Sequence, residues 1–295
     1  MARAGKTGVL VGVCLLFAAV LSPAARGTFP GQNGLIAFNT AGTIATMKPD
    51  GSQVRYLTRG ETMAWSPDGK RIVFMRVGPH RFNGDLYVMR ADGSHVRRLT
   101  STRRWGEGYP SFSPNGRKIV FERIGVGIFV MRLDDLRTRF VTTGGYAPAW
   151  APNGRHIVFT EDNGTGGGLA SIRPDGTHER VLTSPSGSYD LDLFPAYTAN
   201  GRTIYFDRWP DGGHQKVMKM GAFGGHLRRV PVSTPDGTLY SPAPAPEGGC
   251  LVGASYRGDV GTLYARGRRC PVRGWLRQGA AASWQPLPNS LESDG

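Results

Sequence analysis

Residues 65–74 read Trp65-Ser66-Pro67-Asp68-Gly69-Lys70-Arg71-Ile72-Val73-Phe74, an aromatic followed by a tight turn and an apolar strand. The pattern returns as Phe112-Ser113-Pro114-Asn115-Gly116 before Ile119-Val120-Phe121, and as Trp150-Ala151-Pro152-Asn153-Gly154 before Ile157-Val158-Phe159. It returns again as Tyr197-Thr198-Ala199-Asn200-Gly201 before Ile204-Tyr205-Phe206, with a worn copy at Pro244-Ala245-Pro246-Glu247-Gly248 before Cys250-Leu251-Val252. Asx-Gly between two apolar runs is a strong hairpin signal, because Gly and Asn tolerate positive φ.

Two further signatures follow each copy. The first is a short apolar strand ending in a turn, beginning at Thr43, Leu86, Ile128, Leu169, Val217 and Leu263. The second is a basic-apolar strand: Arg55-Tyr56-Leu57-Thr58, Arg97-Arg98-Leu99-Thr100, Arg139-Phe140-Val141-Thr142, Arg180-Val181-Leu182-Thr183 and Arg228-Arg229-Val230, with Val272–Leu276 as a weak sixth. Each unit is therefore four short antiparallel strands, a to d, repeating every ~35 to 47 residues, the period of propeller blades. One such sheet cannot bury both faces alone, whereas a ring of them buries every face.

The chain ends complete the count. Asn33-Gly34-Leu35-Ile36-Ala37-Phe38 is a strand b with no strand a before it, and Ser283-Trp284-Gln285-Pro286 is a strand a with no strand b after it. Joined, they make one blade and close the ring without a free edge. The expected fold is all-β: a six-bladed β-propeller over residues 26–286, with a signal peptide at 1–25 and a disordered tail at 287–295.

Composition agrees. The 295 residues are 20% charged and 39% hydrophobic, a globular balance, and 43 Gly with 21 Pro imply many tight turns. Arg3 and Lys6, the apolar run Val9–Leu21 and the small residues Ser22-Pro23-Ala24-Ala25 have the layout of an export signal, shorter than a membrane span. The mature chain is thus expected to be exported, periplasmic or extracellular, and not an integral membrane protein; a retained anchor is the alternative. Cys14 lies inside the apolar run, leaving Cys250 and Cys270 to form a disulfide in an oxidising compartment or to remain buried thiols. The net charge of +14 permits anionic partners, but no compact basic run or recognition motif points to nucleic acid.

The repeats Trp-Ser-Pro-Asp-Gly-x-x-Ile-Val-Phe, Leu-Tyr-Val-Met-x-x-Asp-Gly and Arg-x-Leu-Thr resemble the TolB-type propeller repeat over residues 30 to 286. The resemblance implies the propeller and leaves the function open, since similar repeats build the propellers of prolyl-oligopeptidase-type peptidases and of some sugar lyases. TolB itself carries an α/β domain before its propeller and works with a peptidoglycan-associated lipoprotein. Here the propeller is expected directly after the signal, so that partner does not carry over. The hydrolase elbow G-x-S-x-G is missing; Gly253-Ala254-Ser255-Tyr256-Arg257 lacks the second glycine.

In a propeller blade the a–b and c–d turns share one rim and the b–c and d–a connections share the other. The Asx-Gly turns trim the first rim; the second carries the long loops, where binding usually resides. The expected binding residues on the long-loop rim and at the channel mouth are Glu61, His80, Arg81, Arg104, Trp105, Glu107, Tyr109, Tyr146, Asp190, Asp192, Phe194, Trp209, His214 and Tyr240. An aromatic collar with mixed charge suits a sugar, a peptide or a protein tip, unless the aromatics pack between blades and the charges are merely solvated. His95, His178 and His226 fall at c–d turns and His156 opens a strand b, so no histidine set converges and no metal, cofactor or catalytic residue is expected. Asp190 with Asp192 is a thin calcium signal, and Asp162-Asn163-Gly164 lacks the context of a phosphate loop.

The leading expectation is a monomeric, non-enzymatic binding scaffold at the cell envelope, holding an envelope protein, peptide or glycan. The alternatives are a propeller hydrolase or lyase acting on a sugar or lactone, and a stand-alone peptidase-type propeller serving as a protein–protein module.

Overall fold

The recurring Ile-Val-Phe runs become the second strand of each sheet in the computed structural model, which describes residues 28–78, 84–161, 166–185, 190–210, 214–232, 234, 239–257, 260–271 and 274–287. The signal-peptide stretch, His80, Arg81, Asp162-Asn163-Gly164 and the tail beyond 287 lie outside the described residues.

The chain enters on β1 (Gln32–Thr40), β2 (Thr43–Met47) and β3 (Arg55–Arg59). Blade 2 follows as β4 (Glu61–Trp65), β5 (Arg71–Val77), β6 (Gly84–Arg90) and β7 (Arg97–Arg98). Blade 3 is β8 (Glu107–Phe112), β9 (Lys118–Arg123), β10 (Gly127–Arg132) and β11 (Thr138–Thr143). Blade 4 is β12 (Gly145–Trp150), β13 (Ile157–Glu161), β14 (Leu169–Ile172) and β15 (Arg180–Val181). Blade 5 is β16 (Leu191–Tyr197), β17 (Thr203–Trp209), β18 (Lys216–Gly221) and β19 (Arg228–Arg229). Blade 6 is β20 (Tyr240–Pro244), β21 (Leu251–Arg257), β22 (Val260–Arg266) and β23 (Gly274–Gln278). The last strand, β24 (Ala280–Leu287), pairs antiparallel with β1 and completes blade 1 in the order β24-β1-β2-β3. The described residues thus form six antiparallel four-stranded sheets closed by the two chain ends. Two sequence boundaries move. Leu287, expected in the tail, belongs to β24 and lies opposite Gln32, and the weak strand near Val272–Leu276 is β23, two residues later.

Strand b is apolar without alternation because both faces of its sheet are covered by neighbouring blades. Phe74, Phe121, Phe159 and Phe206 occupy one blade position and are fully buried, as are Ile72, Ile119, Ile157 and Ile204. Losing one such ring costs about 3–5 kcal/mol. Indole N–H groups tie blades together: Trp65 Nε1 donates to Ser283 O at 3.2 Å, and Trp284 Nε1 to Ala243 O at 3.1 Å.

The a–b turns are satisfied locally. Asp68, Asn115, Asn153 and Asn200 each accept from the backbone N–H two residues on, at 2.9–3.1 Å. Gly69, Gly116, Gly154 and Gly201 take φ of 64–73°, the left-handed region these turns require. In blade 6, where the turn motif is worn, a disulfide joins Cys250 at the a–b turn to Cys270 in the c–d turn.

Candidate functional site

Strand a enters from the long-loop rim, and in five blades it carries a bulge at the same place. Thr62, Tyr109, Ala147, Phe194 and Ser241 take positive φ between 35° and 59°. The a–b register slips at each of them. In blades 3 to 6 the next residue is proline: Pro110, Pro148, Pro195 and Pro242. Strand a is the inner edge strand, so a proline there sacrifices no ladder bond. A non-glycine residue in the left-handed region costs about 1 kcal/mol or more and persists only where its surroundings dictate it.

Two blades show what dictates it. In blade 3, Glu107 opens strand a directly opposite Arg123 at the end of strand b, and the two form an ion pair at 3.2 Å. In blade 5, Asp192 and Arg208 hold the same relation, with two hydrogen bonds of 2.6 and 2.7 Å. The preceding residues on strand b, Glu122 and Asp207, are also buried and reach into the following blade. Glu122 Oε2 accepts from the N–H of Ala147 at 3.3 Å, and Asp207 Oδ2 from that of Ser241 at 2.7 Å. Each latch therefore holds the left-handed residue of its neighbour. Thr102 Oγ1 also donates to Glu107 at 2.8 Å. Burial pushes the Glu107 carboxyl above its ordinary range, opposed by hydrogen bonds from Thr102 and Thr100 and by the Arg123 charge. The hydrogen bond to Asp192, outweighing burial, raises Arg208.

These bulges mount aromatic rings at the channel mouth. Tyr109 of blade 3 and Phe194 of blade 5 stack with centroids 6.2 Å apart. Ala147 is the bulge residue of the intervening blade 4, and its small side chain lies in the same apolar cluster. Tyr146, Leu191, Leu193 and Trp209 join that cluster, and Trp209 meets Tyr240 of blade 6 edge-on at 6.0 Å. Tyr109, Tyr146, Trp209 and Tyr240 are half-buried, each keeping part of its surface in solvent.

The structure thus brings together Tyr109, Tyr146, Phe194, Trp209 and Tyr240 from the expected set. It corrects the role expected of Glu107 and Asp192. Both are fully buried and bonded to arginines, because their register places a guanidinium directly across the sheet. Asp192 is therefore not available to share a calcium ion with the half-buried Asp190, and among the described residues no group of three His, Cys, Asp or Glu is placed to hold a metal. Glu61 lies in blade 2 on a separate open groove with Gly42, Arg59 and Arg76. Arg104 covers the Trp105 ring at 4.8 Å in the loop entering blade 3, and His214 is exposed beside the start of β18. His95, His178 and His226 occupy left-handed positions in the c–d turns of the opposite rim.

Sequence reasoning missed Glu122 as a latch and the small Ala147 between the rings. A signal existed: Phe121-Glu122-Arg123 and Phe206-Asp207-Arg208 repeat an acid–Arg dipeptide at one blade position, two blades apart.

A family model described as TolB beta propeller domain matches residues 37–192. TolB from Acinetobacter baumannii superposes with a TM-score of 0.70 at 24% identity, over 88% of this chain and 68% of that one. A putative TolB from Agrobacterium tumefaciens gives 0.60 at 19% identity, over 68% and 79%. An oligogalacturonate lyase from Vibrio parahaemolyticus gives 0.56 at 12% identity, over 88% and 79%. At these identities the likeness is one of fold. No curated protein matches the sequence.

Proposed function

The chain belongs to the TolB β-propeller domain family, and from that premise we propose that it is an exported, non-enzymatic scaffold of the cell envelope that captures a peptide, protein tip or glycan on its long-loop rim. One observation carries this reading. Aromatic rings from blades 3 to 6 meet at the channel mouth on bulges pinned by buried ion pairs and interblade carboxylates. Rigid, partly exposed aromatic faces bind with little loss of side-chain entropy and suit sugar rings and apolar peptide side chains alike. The charged N-terminus, apolar run and small-residue stretch support export. Among the described residues no helix is long and apolar enough to cross a membrane.

The second reading, a hydrolase or lyase, needs carboxylates facing the channel mouth. Glu107 and Asp192, the acids expected there, are engaged by Arg123 and Arg208, which favours the scaffold.

The test is capture from envelope extracts on immobilised protein, wild type against the triple variant Tyr109→Ala, Tyr146→Ala, Tyr240→Ala. The variant is expected to retain its β-sheet spectrum and a cooperative melt while losing the captured species. Undiminished capture by the folded variant removes the collar as the binding site. Turnover across a panel of glycans and lactones by the wild type replaces the scaffold reading with the enzymatic one.

A further inference from the structure

The opposite rim carries a pattern that the collar does not use. In blades 2 to 5 the residue after the turn glycine is a cation: Lys70, Arg117, Arg155 and Arg202. All four are exposed, and they hold one register position in successive blades. Because strand a is innermost, these a–b turns form the inner ring around the channel's second mouth. The turn Asx is Asn115, Asn153 and Asn200 in blades 3 to 5, so those turns fold without placing a carboxylate beside the cation. Asp68 in blade 2 is engaged by Ser66 and the Lys70 N–H, and Glu247 in blade 6 by Asn33.

Farther out, the c–d turns do carry carboxylates, each bonded within its own turn, with Asp134 and Asp135 of blade 3 paired with Arg132 and Arg137. Asp50 bonds Ser52, Asp92 bonds Ser94 and Asp175 bonds Thr177. Exposed arginines stand where these turns meet strand d, including Arg55, Arg97, Arg180 and Arg228. On the long-loop rim, by contrast, Arg98, Arg123 and Arg208 are each paired with an acid. Among the described residues the trimmed rim thus displays a dense set of exposed cations, whereas the long-loop rim holds fewer, Arg103 and Arg104 among them.

Two more features distinguish this rim from a generic charged surface. Its described turns are short and of similar length, so no long loop projects from it among the described residues. It also displays apolar side chains beside the cations: Phe223 is 62% exposed and Leu227 43%, both in the c–d turn of blade 5. The Phe223 ring meets His156, next to Arg155, at 5.9 Å, and its neighbour Ala222 donates to Arg202 O at 3.0 Å. Phe223 thus lies beside the turns that carry Arg155 and Arg202. A cationic face with an apolar tip has the chemistry of a surface that rests on anionic lipid headgroups and dips a side chain between them. A soluble polyanion would reward the charge but not the exposed phenylalanine.

We propose that the trimmed rim is a peripheral docking face for an anionic phospholipid bilayer, with Lys70, Arg117, Arg155 and Arg202 contacting headgroups and Phe223 inserting between them. Docked this way, the propeller holds its aromatic collar away from the bilayer. The proposal stands on the opposite rim and does not depend on what the collar binds.

Cosedimentation of the mature chain with mixed phosphatidylglycerol–phosphatidylcholine vesicles tests it, against vesicles of phosphatidylcholine alone. Binding is expected only to the anionic vesicles, with strong weakening between ~0.1 M and ~1 M salt as the Debye length contracts. Each of Lys70→Gln, Arg117→Gln, Arg155→Gln and Arg202→Gln should weaken partitioning about fivefold. Combining all four should abolish binding, and the single variants keep the test valid should that quadruple variant fail to fold. Phe223→Ser should weaken binding that persists at high salt, and the collar triple variant should bind vesicles as the wild type does. Absence of wild-type binding to anionic vesicles overturns the proposal, and so does binding that the four neutralisations leave unchanged. Binding to polyphosphate in solution but not to vesicles overturns it in favour of a polymeric anion.

Discussion

The two rims of this propeller are built from the same repeats by opposite means. On the trimmed rim the a–b turns of blades 2 to 5 each carry a closing bond set within their own few residues: in blade 3, Ser113 Oγ accepts from Lys118 N at 2.9 Å, Asn115 accepts from Arg117 N, and Gly116 supplies the positive φ. On the long-loop rim the decisive bonds cross between strands and blades. Asp192 engages Arg208 across the sheet, and Asp207 holds Ser241 of the next blade. Local closure leaves charged side chains outside, and non-local closure draws them in. A carboxylate in the sequence therefore means different things on the two rims: Asp92 is an exposed turn residue, whereas Asp192 is a buried structural ion.

The contrast is most sharply broken by removing one buried ion. Asp192→Ala leaves the guanidinium of Arg208, only 20% exposed, without its partner and should destabilise the fold by about 3 kcal/mol or more in urea unfolding. Asp92→Ala on the other rim provides the comparison and should cost far less. Equal costs would mean that the two rims are not built differently.

A smaller effect is expected within the trimmed rim. A Cβ at Gly154 meets nothing closer than Pro114 at 3.7 Å, so Gly154→Ala should cost only the left-handed strain, about 1 kcal/mol by thermal or urea melt. Gly69→Ala should cost more, because its Cβ would lie 2.4 Å from the carbonyl oxygen of Pro286 in the closing strand. Similar losses at both would show that closure by β24 does not press on that turn.

The smallest effect is a dependence on pH. Burial raises the folded-state affinity of Glu107 for its proton above the ordinary value of 4.5. An acid with a raised pKa contributes most when protonated, so its contribution declines as pH rises through the raised value. Relative to wild type, Glu107→Gln should therefore be more stable at neutral pH than near pH 4, as read from paired urea melts. The opposite slope would mean that Arg123 outweighs burial.

Much of the fold was legible from residues alone. The string Trp65-Ser66-Pro67-Asp68-Gly69 and its copies fixed the hairpins, and the orphan strands at Asn33 and Ser283 fixed the number of blades and the closure. The candidate site was only half legible. Tyr109, Tyr146, Phe194 and Tyr240 read with Glu61 as channel-entrance residues and Trp209 as a rim-loop residue, and only the structure sets the five rings together; Glu107 and Asp192 read as rim acids and are buried. Their partners Arg123 and Arg208 lie 16 residues away, and only the pairing register sets them opposite.

The sequence by itself determined the strands, the turns, the ring and the distribution of residues between rims, because those follow from local φ preference and from period. Tertiary structure alone decided which charges are surface and which are core. It decided that the bulge residues Tyr109 and Phe194 stack in one cluster with Ala147, and that the Phe223 ring meets His156 beside the turn that carries Arg155. Those outcomes depend on how one blade packs on the next, a distance that no spacing along the chain encodes.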